Sequence, residues 1–183
     1  MDKYTMKDIY ISTYSDETAT SFVSSLRRDL EDRGYSVFLR CREDFSADSS
    51  GQQVTAIKSC KDFILILTKA GLERLWRHEA TDRVREELVA ARQFGKNIVP
   101  LLLEGAEFPQ NADDMPEELR FLPLLDALCF PEQDPESSFA RLDERLVIQK
   151  EKAAWKKYGE YFMGRTAADI MREYSEQHDE WGD

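Results

Sequence analysis

Apolar residues recur along the chain with two different spacings, and the two kinds of segment follow each other in turn. Short β-branched or continuous apolar runs predict strands, whereas apolar positions three and four residues apart predict amphipathic helices. The predicted strands cover residues 8–13, 35–39, 63–67, 97–103 and 127–130, and the predicted helices begin at Ser15 or Asp16, near Val54, near Glu79 and near Pro135. Polar residues from Arg40 to Gly51 predict a loop after the second strand.

This alternation predicts an α/β fold with a parallel sheet and right-handed crossovers. We expect a flavodoxin-like, doubly wound sheet of about five strands in residues 1–150. We expect residues 151–183 to be a C-terminal helical extension or tail, and three interpretations stay open: a helix that packs back, a helix for a partner, or a frayed end. Ligands of such sheets lie beyond the carboxyl ends of the strands, here at residues 12–16, 40–51 and 68–82.

The formal net charge of −11 argues against two classes of partner. A nucleic-acid-binding protein needs a basic face that replaces condensed counterions, and docking on anionic lipid needs the same sign of charge. We therefore expect neither nucleic acid nor membrane among its partners. A small anionic substrate stays open, because a local pocket field can oppose the global one.

The few cysteines and histidines leave little material for a metal site. Cys41, Cys60 and Cys129 are far apart and have the character of reduced thiols, and only His78 and His178 supply imidazoles. No apolar stretch has the length of a membrane helix, and the first eight residues lack the apolar core of a signal peptide. These observations predict a cytoplasmic protein with no bound metal.

Two adjacent glutamates lie in the predicted helix that comes before the fourth strand, and they should have different surroundings. Val84 and Leu88 mark its buried face, so Glu87 lies beside the core while Glu86 points into solvent. Burial would raise the pKa of Glu87, and an ion pair with Arg83, four residues earlier, would lower it. From spacing alone, an ordinary exposed Arg83–Glu87 helix pair remains the simpler interpretation.

Four blocks in order resemble the TIR (Toll/interleukin-1 receptor) domain family over roughly residues 7–148. Residues 8–12 resemble the family's opening D-[IV]-F-I-S strand, and residues 34–39 with 56–60 resemble its second strand and the helix after the following loop. Residues 63–68 resemble its third strand, and residues 82–88 with 95–100 resemble its D-W-x-x-x-E helix and the following K-x-I-[IV]-P strand. The resemblance is strongest to bacterial TIR proteins of antiphage defence and to the animal TIR enzyme of axon degeneration.

The resemblance implies an enzyme that breaks the nicotinamide–ribose bond of NAD, giving ADP-ribose or a cyclic isomer. NAD is then a substrate, no cofactor is needed, and the catalytic glutamate is by position Glu87. The resemblance also implies substrate-binding residues at the end of the first strand, in the loop after the second strand and on the glutamate's own helix. They are Ser12, Thr13, Tyr14, Arg40, Asp44, Phe45 and Arg83.

Several of these residues have other interpretations. Ser12 also fits a strand-terminal hydroxyl that caps backbone, and Phe45 fits an interface anchor as well as a stacking platform. Arg83 stands where the family has an aromatic residue, which also suits a non-catalytic scaffold that acts through TIR–TIR association. The packing of that aromatic residue beneath the glutamate is therefore missing here unless Trp76 or Tyr14 supplies it.

The resemblance also implies partners. They are other TIR domains, through self-association that completes the site, and a separate effector protein that reads the nucleotide product in antiphage defence.

The residues also bear on two other classes of protein. A response-regulator receiver is disfavoured because Thr68 and Lys69 follow the third strand, where that class needs an acidic phosphoacceptor. A nucleoside ribosyltransferase, which also uses a glutamate, stays open.

Overall fold

A computed structural model describes residues 7–39, 49–77, 82–103, 105–109, 115–130 and 135–149. In chain order the elements are β1 (Ile9–Thr13), α1 (Glu17–Asp32), β2 (Val37–Leu39), α2 (Ser49–Ser59), β3 (Asp62–Leu67), α3 (Lys69–Trp76), α4 (Arg83–Gln93), β4 (Asn97–Leu103), β5 (Leu128–Phe130) and α5 (Pro135–Arg145). Two 3-10 turns, Glu117–Leu119 and Leu122–Leu124, lie between β4 and β5.

The five strands form one sheet in the order β2-β1-β3-β4-β5, and every neighbouring pair is parallel. The register pairs Ile11 of β1 with Ile64 of β3, and Ile64 with Val99 of β4. All carboxyl ends therefore meet at one edge of the sheet. This arrangement confirms the predicted α/β fold with a five-stranded parallel sheet.

Two layers of apolar side chains cover the two faces of the sheet. Residues of α2, α3 and α4 pack on one face with Phe63, Leu65 and Leu67, and residues of α1 and α5 pack on the other with Ile64 and Ile66. All five of these β3 side chains are at most 1% exposed. A strand buried on both faces has a continuous apolar sequence, and residues 63–67 show that pattern.

Polar caps and glycines set several element boundaries as the sequence predicted. The Asp16 side chain accepts a hydrogen bond from the backbone N–H of Ala19 at 2.7 Å and caps α1. Gly34 and Gly95 follow α1 and α4 with φ of +83° and +62°, a conformation that favours glycine.

One whole helix and the starts of two others differ from the sequence-based expectation. Helix α3, at Lys69–Trp76, was not predicted, and α2 begins at Ser49, inside the expected loop. Helix α4 begins at Arg83 rather than near Glu79, because Asp82 has extended backbone and caps it. The signals for α3 were present, since Thr68 caps it and Leu72 and Leu75 share one face, but Gly71 in its first turn weakens a helix prediction.

The chain divides after Ile148 into two units, and the site described below belongs to the first. Residues 151–183 lie outside the described residues, so the role of the predicted C-terminal extension stays a prediction. Among the helices that the structure describes, none is long and apolar enough to cross a membrane.

Candidate functional site

Glu87 lies in the second turn of α4 and is buried, with 6% of its surface exposed. Its neighbour Glu86 is exposed, while Val84 and Leu88 pack in the core. Successive helical residues differ by about 100° around the axis, so adjacent glutamates face different surroundings. The predicted difference between the two carboxylates is therefore confirmed, whereas the catalytic role of Glu87 remains a prediction.

The hydroxyl of Ser12 donates a hydrogen bond to Oε2 of Glu87 at 2.6 Å. Ser12 is 2% exposed and lies near the carboxyl end of β1, on the same face as Tyr10, because strand side chains alternate between faces. A hydroxyl bonded to an ionised carboxylate gives one of the shorter and stronger hydrogen bonds in proteins. The contact fixes the Glu87 carboxyl group at the sheet edge where ligands of this fold class lie.

The hydroxyl of Tyr14 donates to Oδ2 of Asp82 at 2.7 Å, and both side chains are buried. Burial, with the adjacent Asp82 carboxylate, raises the pKa of the Tyr14 phenol far above its ordinary value. This phenol consequently stays protonated at neutral pH and acts as a hydrogen-bond donor. Between Ser12 and Tyr14, the Thr13 hydroxyl donates to the backbone oxygen of Tyr14 at 3.1 Å.

A second polar chain joins the first turns of α1 and α3 at the same edge. The Thr68 hydroxyl donates to Oδ2 of Asp16 at 2.7 Å and accepts from the backbone N–H of Gly71 at 3.0 Å. The Asp16 carboxylate therefore caps its own helix and orients the cap of α3. Three helices thus have their N-terminal ends, at which backbone N–H groups lack helical partners, bound to polar side chains at this edge.

Four predicted substrate-binding residues remain. Arg83 is exposed in the first turn of α4, and Arg40, Asp44 and Phe45 lie outside the described residues. The structure thus brings together Ser12, Tyr14 and Glu87 at the edge, with Thr13 beside them.

Tyr14 lies in the core cluster that holds Val84 and Leu88, and Trp76 packs half-buried against it. Their replacement of the aromatic packing that the family has at position 83 stays a prediction. Sequence reasoning missed Asp82 as a site-forming residue. Its signal was available, because an aspartate directly before a helical apolar stripe is a strong N-cap.

In the part of the chain that the structure describes, no group of three or more His, Cys, Asp or Glu side chains could hold a metal ion. The arrangement instead offers the buried Glu87 carboxylate with Ser12 as its hydroxyl partner. Such a carboxylate can stabilise positive charge that develops on a bound sugar ring.

The family model of the TIR domain matches residues 9–143. The chain belongs to the TIR domain family. Glu87, Ser12 and the Asp82 cap all lie inside the matched residues, so the site described above is part of the TIR domain itself.

Two curated relatives are similar in sequence. NAD(+) hydrolase tir-1 of Caenorhabditis elegans is 32% identical over 116 residues, which are 63% of this chain and 12% of that protein. NAD(+) hydrolase sarm1 of Drosophila melanogaster is 29% identical over 114 residues, 62% of this chain and 8% of that protein. The chain thus spans only a small part of the length of these relatives.

Solved structures share the fold at lower identity. The TIR domain of the Toll-related receptor TRR-2 from Hydra magnipapillata is 19% identical with a TM-score of 0.54, over 76% of this chain and 96% of that one. A prokaryotic SEFIR domain is 17% identical with a TM-score of 0.56, over 77% and 99% of the two chains. These similarities concern the fold alone.

Proposed function

We propose that this TIR domain cleaves the bond between nicotinamide and ribose in NAD, with Glu87 as the catalytic residue. The observation that carries the proposal is the buried Glu87 carboxylate, held by Ser12 at the ligand-binding edge of the sheet. The names of the two relatives, both NAD(+) hydrolases, support the same reaction. NAD is the substrate in this proposal, and the domain uses no cofactor.

The chemistry needs one carboxylate rather than an acid–base pair. When the N-glycosidic bond breaks, both bonding electrons leave with the pyridine nitrogen, and the cationic ring departs as neutral nicotinamide. Positive charge then develops on the ribose as an oxocarbenium-like ion, as in other glycosidic cleavages. The Glu87 carboxylate stabilises that charge, and its fixed position means that little reorganisation is needed at the moment of reaction.

The second half of the reaction decides the product. A water molecule that adds its oxygen to the ribose carbon and loses a proton to solvent gives ADP-ribose. An internal nucleophile, such as the adenine base, gives a cyclic isomer if water is excluded. We propose that the domain acts as an NAD glycohydrolase and ADP-ribosyl cyclase.

The cellular setting that we propose follows the sequence resemblance. The domain works in the cytoplasm in bacterial antiphage defence, and a separate effector protein reads its nucleotide product. Self-association through TIR–TIR contacts completes the site, with Thr13, Tyr14, Arg40, Asp44, Phe45 and Arg83 as candidate substrate contacts.

A non-catalytic TIR scaffold is the second candidate function. The exposed Arg83 favours it, because this residue stands at the position of an aromatic residue in the family pattern. In this case the domain would act by association with other TIR domains and would not turn over NAD.

Incubation of the protein with NAD over a wide range of protein concentrations separates the two candidates. Chromatography is expected to show nicotinamide release that rises more steeply than protein concentration, since self-association completes the site. The same traces identify ADP-ribose or a cyclic product. Self-association without nicotinamide release at any concentration would instead establish the scaffold.

Replacement of Ser12 by alanine tests the hydroxyl that holds Glu87. Ser12→Ala is expected to lower kcat for NAD cleavage by about tenfold, because the carboxylate loses one charge-assisted hydrogen bond and its fixed orientation. Ser138→Ala, which removes another buried serine hydroxyl in α5, is the matched control and should leave kcat unchanged. Equal rates for the two variants would show that the Ser12 hydroxyl has no part in the reaction.

A further inference from the structure

The Tyr14–Asp82 hydrogen bond links the end of β1 to the beginning of the helix that carries Glu87. Oδ2 of Asp82 accepts from the Tyr14 hydroxyl at 2.7 Å, and Oδ1 accepts from the backbone N–H of Arg85 at 3.0 Å. One buried carboxylate therefore caps α4 and also ties its first turn to β1. Without the hydroxyl, only the capping half of this arrangement would remain.

A second link between the same two elements lies further along the helix. Ser12 reaches Glu87 from β1, as Tyr14 reaches Asp82. Core packing of Val84 and Leu88 holds α4 on the sheet, and the two hydrogen bonds add fixed points in its first and second turns. A shift of the first turn would also move Glu87, which lies one turn further along the same helix.

We propose that Tyr14 and Asp82 are positioning residues for Glu87, holding the first turns of α4 in the register that aims this carboxylate. The inference rests on the proposed function, in which Glu87 faces the ribose. It gives Tyr14 a role through Glu87, rather than the direct substrate contact that the family resemblance implies.

The residues around Tyr14 hold its side chain in one position. A Cβ atom at Gly71 would lie 3.2 Å from the ring of Tyr14, so the ring is packed closely against the first turn of α3. The Arg74 guanidinium lies 5.0 Å from the ring centroid on its face. The raised pKa of the phenol keeps the proton on Tyr14, so the bond to Asp82 persists across neutral pH.

Arg85 extends this network to the end of α3. Its guanidinium donates to the backbone oxygens of Leu75 and Arg77, the latter at 2.7 Å, while its backbone N–H binds Asp82. Carbonyl groups at a helix end lack helical partners, and the guanidinium satisfies them here. The start of α4 is consequently bound to both β1 and α3 through adjoining side chains.

Tyr14→Phe tests the proposal because it removes only the hydroxyl. We expect kcat for NAD cleavage to fall about tenfold while KM stays within about twofold, since misaiming a reacting group slows chemistry without weakening substrate binding. A KM effect larger than the kcat effect would overturn the proposal and favour a direct substrate contact.

Tyr35→Phe is the matched control. Tyr35 is also buried, and its hydroxyl hydrogen-bonds Asp143, but it packs in the core layer on the other face of the sheet. Both variants lose one tyrosine–aspartate hydrogen bond. The Asp143 side chain is 23% exposed and keeps its ion pair with Arg33, so Tyr35→Phe should lower the melting temperature no more than Tyr14→Phe. Only Tyr14→Phe should lower kcat. An equal loss of kcat in both variants would show that the effect comes from lost stability, and it would overturn the proposal.

Asp82→Asn provides a second test on the other partner. Asparagine still caps a helix, but it puts an NH2 donor in place of Oδ2, so the charged acceptor of the Tyr14 hydroxyl is lost. The double variant Tyr14→Phe/Asp82→Asn should therefore be no slower than the slower single variant. Losses of kcat that multiply in the double variant would show two independent effects and would overturn the pairing.

Amide hydrogen exchange separates failure of this inference from failure of the proposed function. Tyr14→Phe should speed exchange of the Arg85 and Glu86 amides relative to Tyr35→Phe, because the cap is loosened. If the unmodified protein releases no nicotinamide, the proposed function fails, and the exchange result alone decides whether Tyr14 positions this helix. Unchanged exchange at both amides would overturn the inference.

Discussion

Glu87→Gln is expected to lower kcat for NAD cleavage by at least about a hundredfold, the usual cost of removing one group that stabilises charge in a transition state. Glutamine has nearly the same shape and can still accept the Ser12 hydrogen bond, so the fold should be retained. It carries no charge to offset the positive ribose. The effect should therefore appear in kcat, measured as nicotinamide release under saturating NAD.

Glu86→Gln is the matched control, because it makes the same chemical change one residue earlier on the exposed side of α4. Its kcat should equal that of the unmodified protein. A Glu87→Gln variant as fast as Glu86→Gln would remove Glu87 from the mechanism, even if the domain still cleaved NAD. Equal melting temperatures of the two variants would exclude unfolding as the cause of any difference.

The spacing of apolar residues in the sequence is sufficient to predict which of these two glutamates is buried. Val84 and Leu88 define the buried stripe of α4, and the helical period fixes which neighbour lies beside it. The five parallel strands and the glycines after α1 and α4 followed from equally local signals. These features depend on residues close together in the chain, and such signals are visible without a fold.

The contacts that build the site could not be read in this way. Ser12 and Glu87 are 75 residues apart, and Tyr14 and Asp82 are 68 residues apart. A terminal serine in a strand fits several local roles, and only the packing of α4 on β1 selects one of them. The family resemblance named Glu87 but did not supply its hydrogen-bond partner.

Asp62 shows the same limitation at the opposite end of the sheet. It begins β3 and is fully buried at 0% exposure, although an aspartate at a strand end usually indicates a solvated turn. Its Oδ1 atom accepts from the Asn97 side chain at 2.6 Å and from the Val147 N–H at 2.9 Å, and its Oδ2 atom accepts from the Ile148 N–H at 3.0 Å. The carboxylate thus joins the segment after α5 to the central strands.

Asp62→Ala is expected to lower the free energy of unfolding by about 3–5 kcal/mol, because three donors lose their acceptor at about 1–3 kcal/mol each where they are buried and less where water reaches them. Urea denaturation measures the loss. Asp126→Ala is the control, since its side chain is 70% exposed in an ion pair with Arg145, and such surface pairs contribute less than about 1 kcal/mol.

The Asp62→Ala loss should be confined to stability. Asp62 lies at the amino end of β3, whereas Ser12 and Glu87 lie at the carboxyl edge of the sheet, so kcat per folded molecule should not change. Asp62→Asn, which retains one acceptor oxygen, should fall between Asp62→Ala and the unmodified protein. If Asp62→Ala were no less stable than Asp126→Ala, the buried carboxylate would not be the tie that holds residues 147–148 to the sheet.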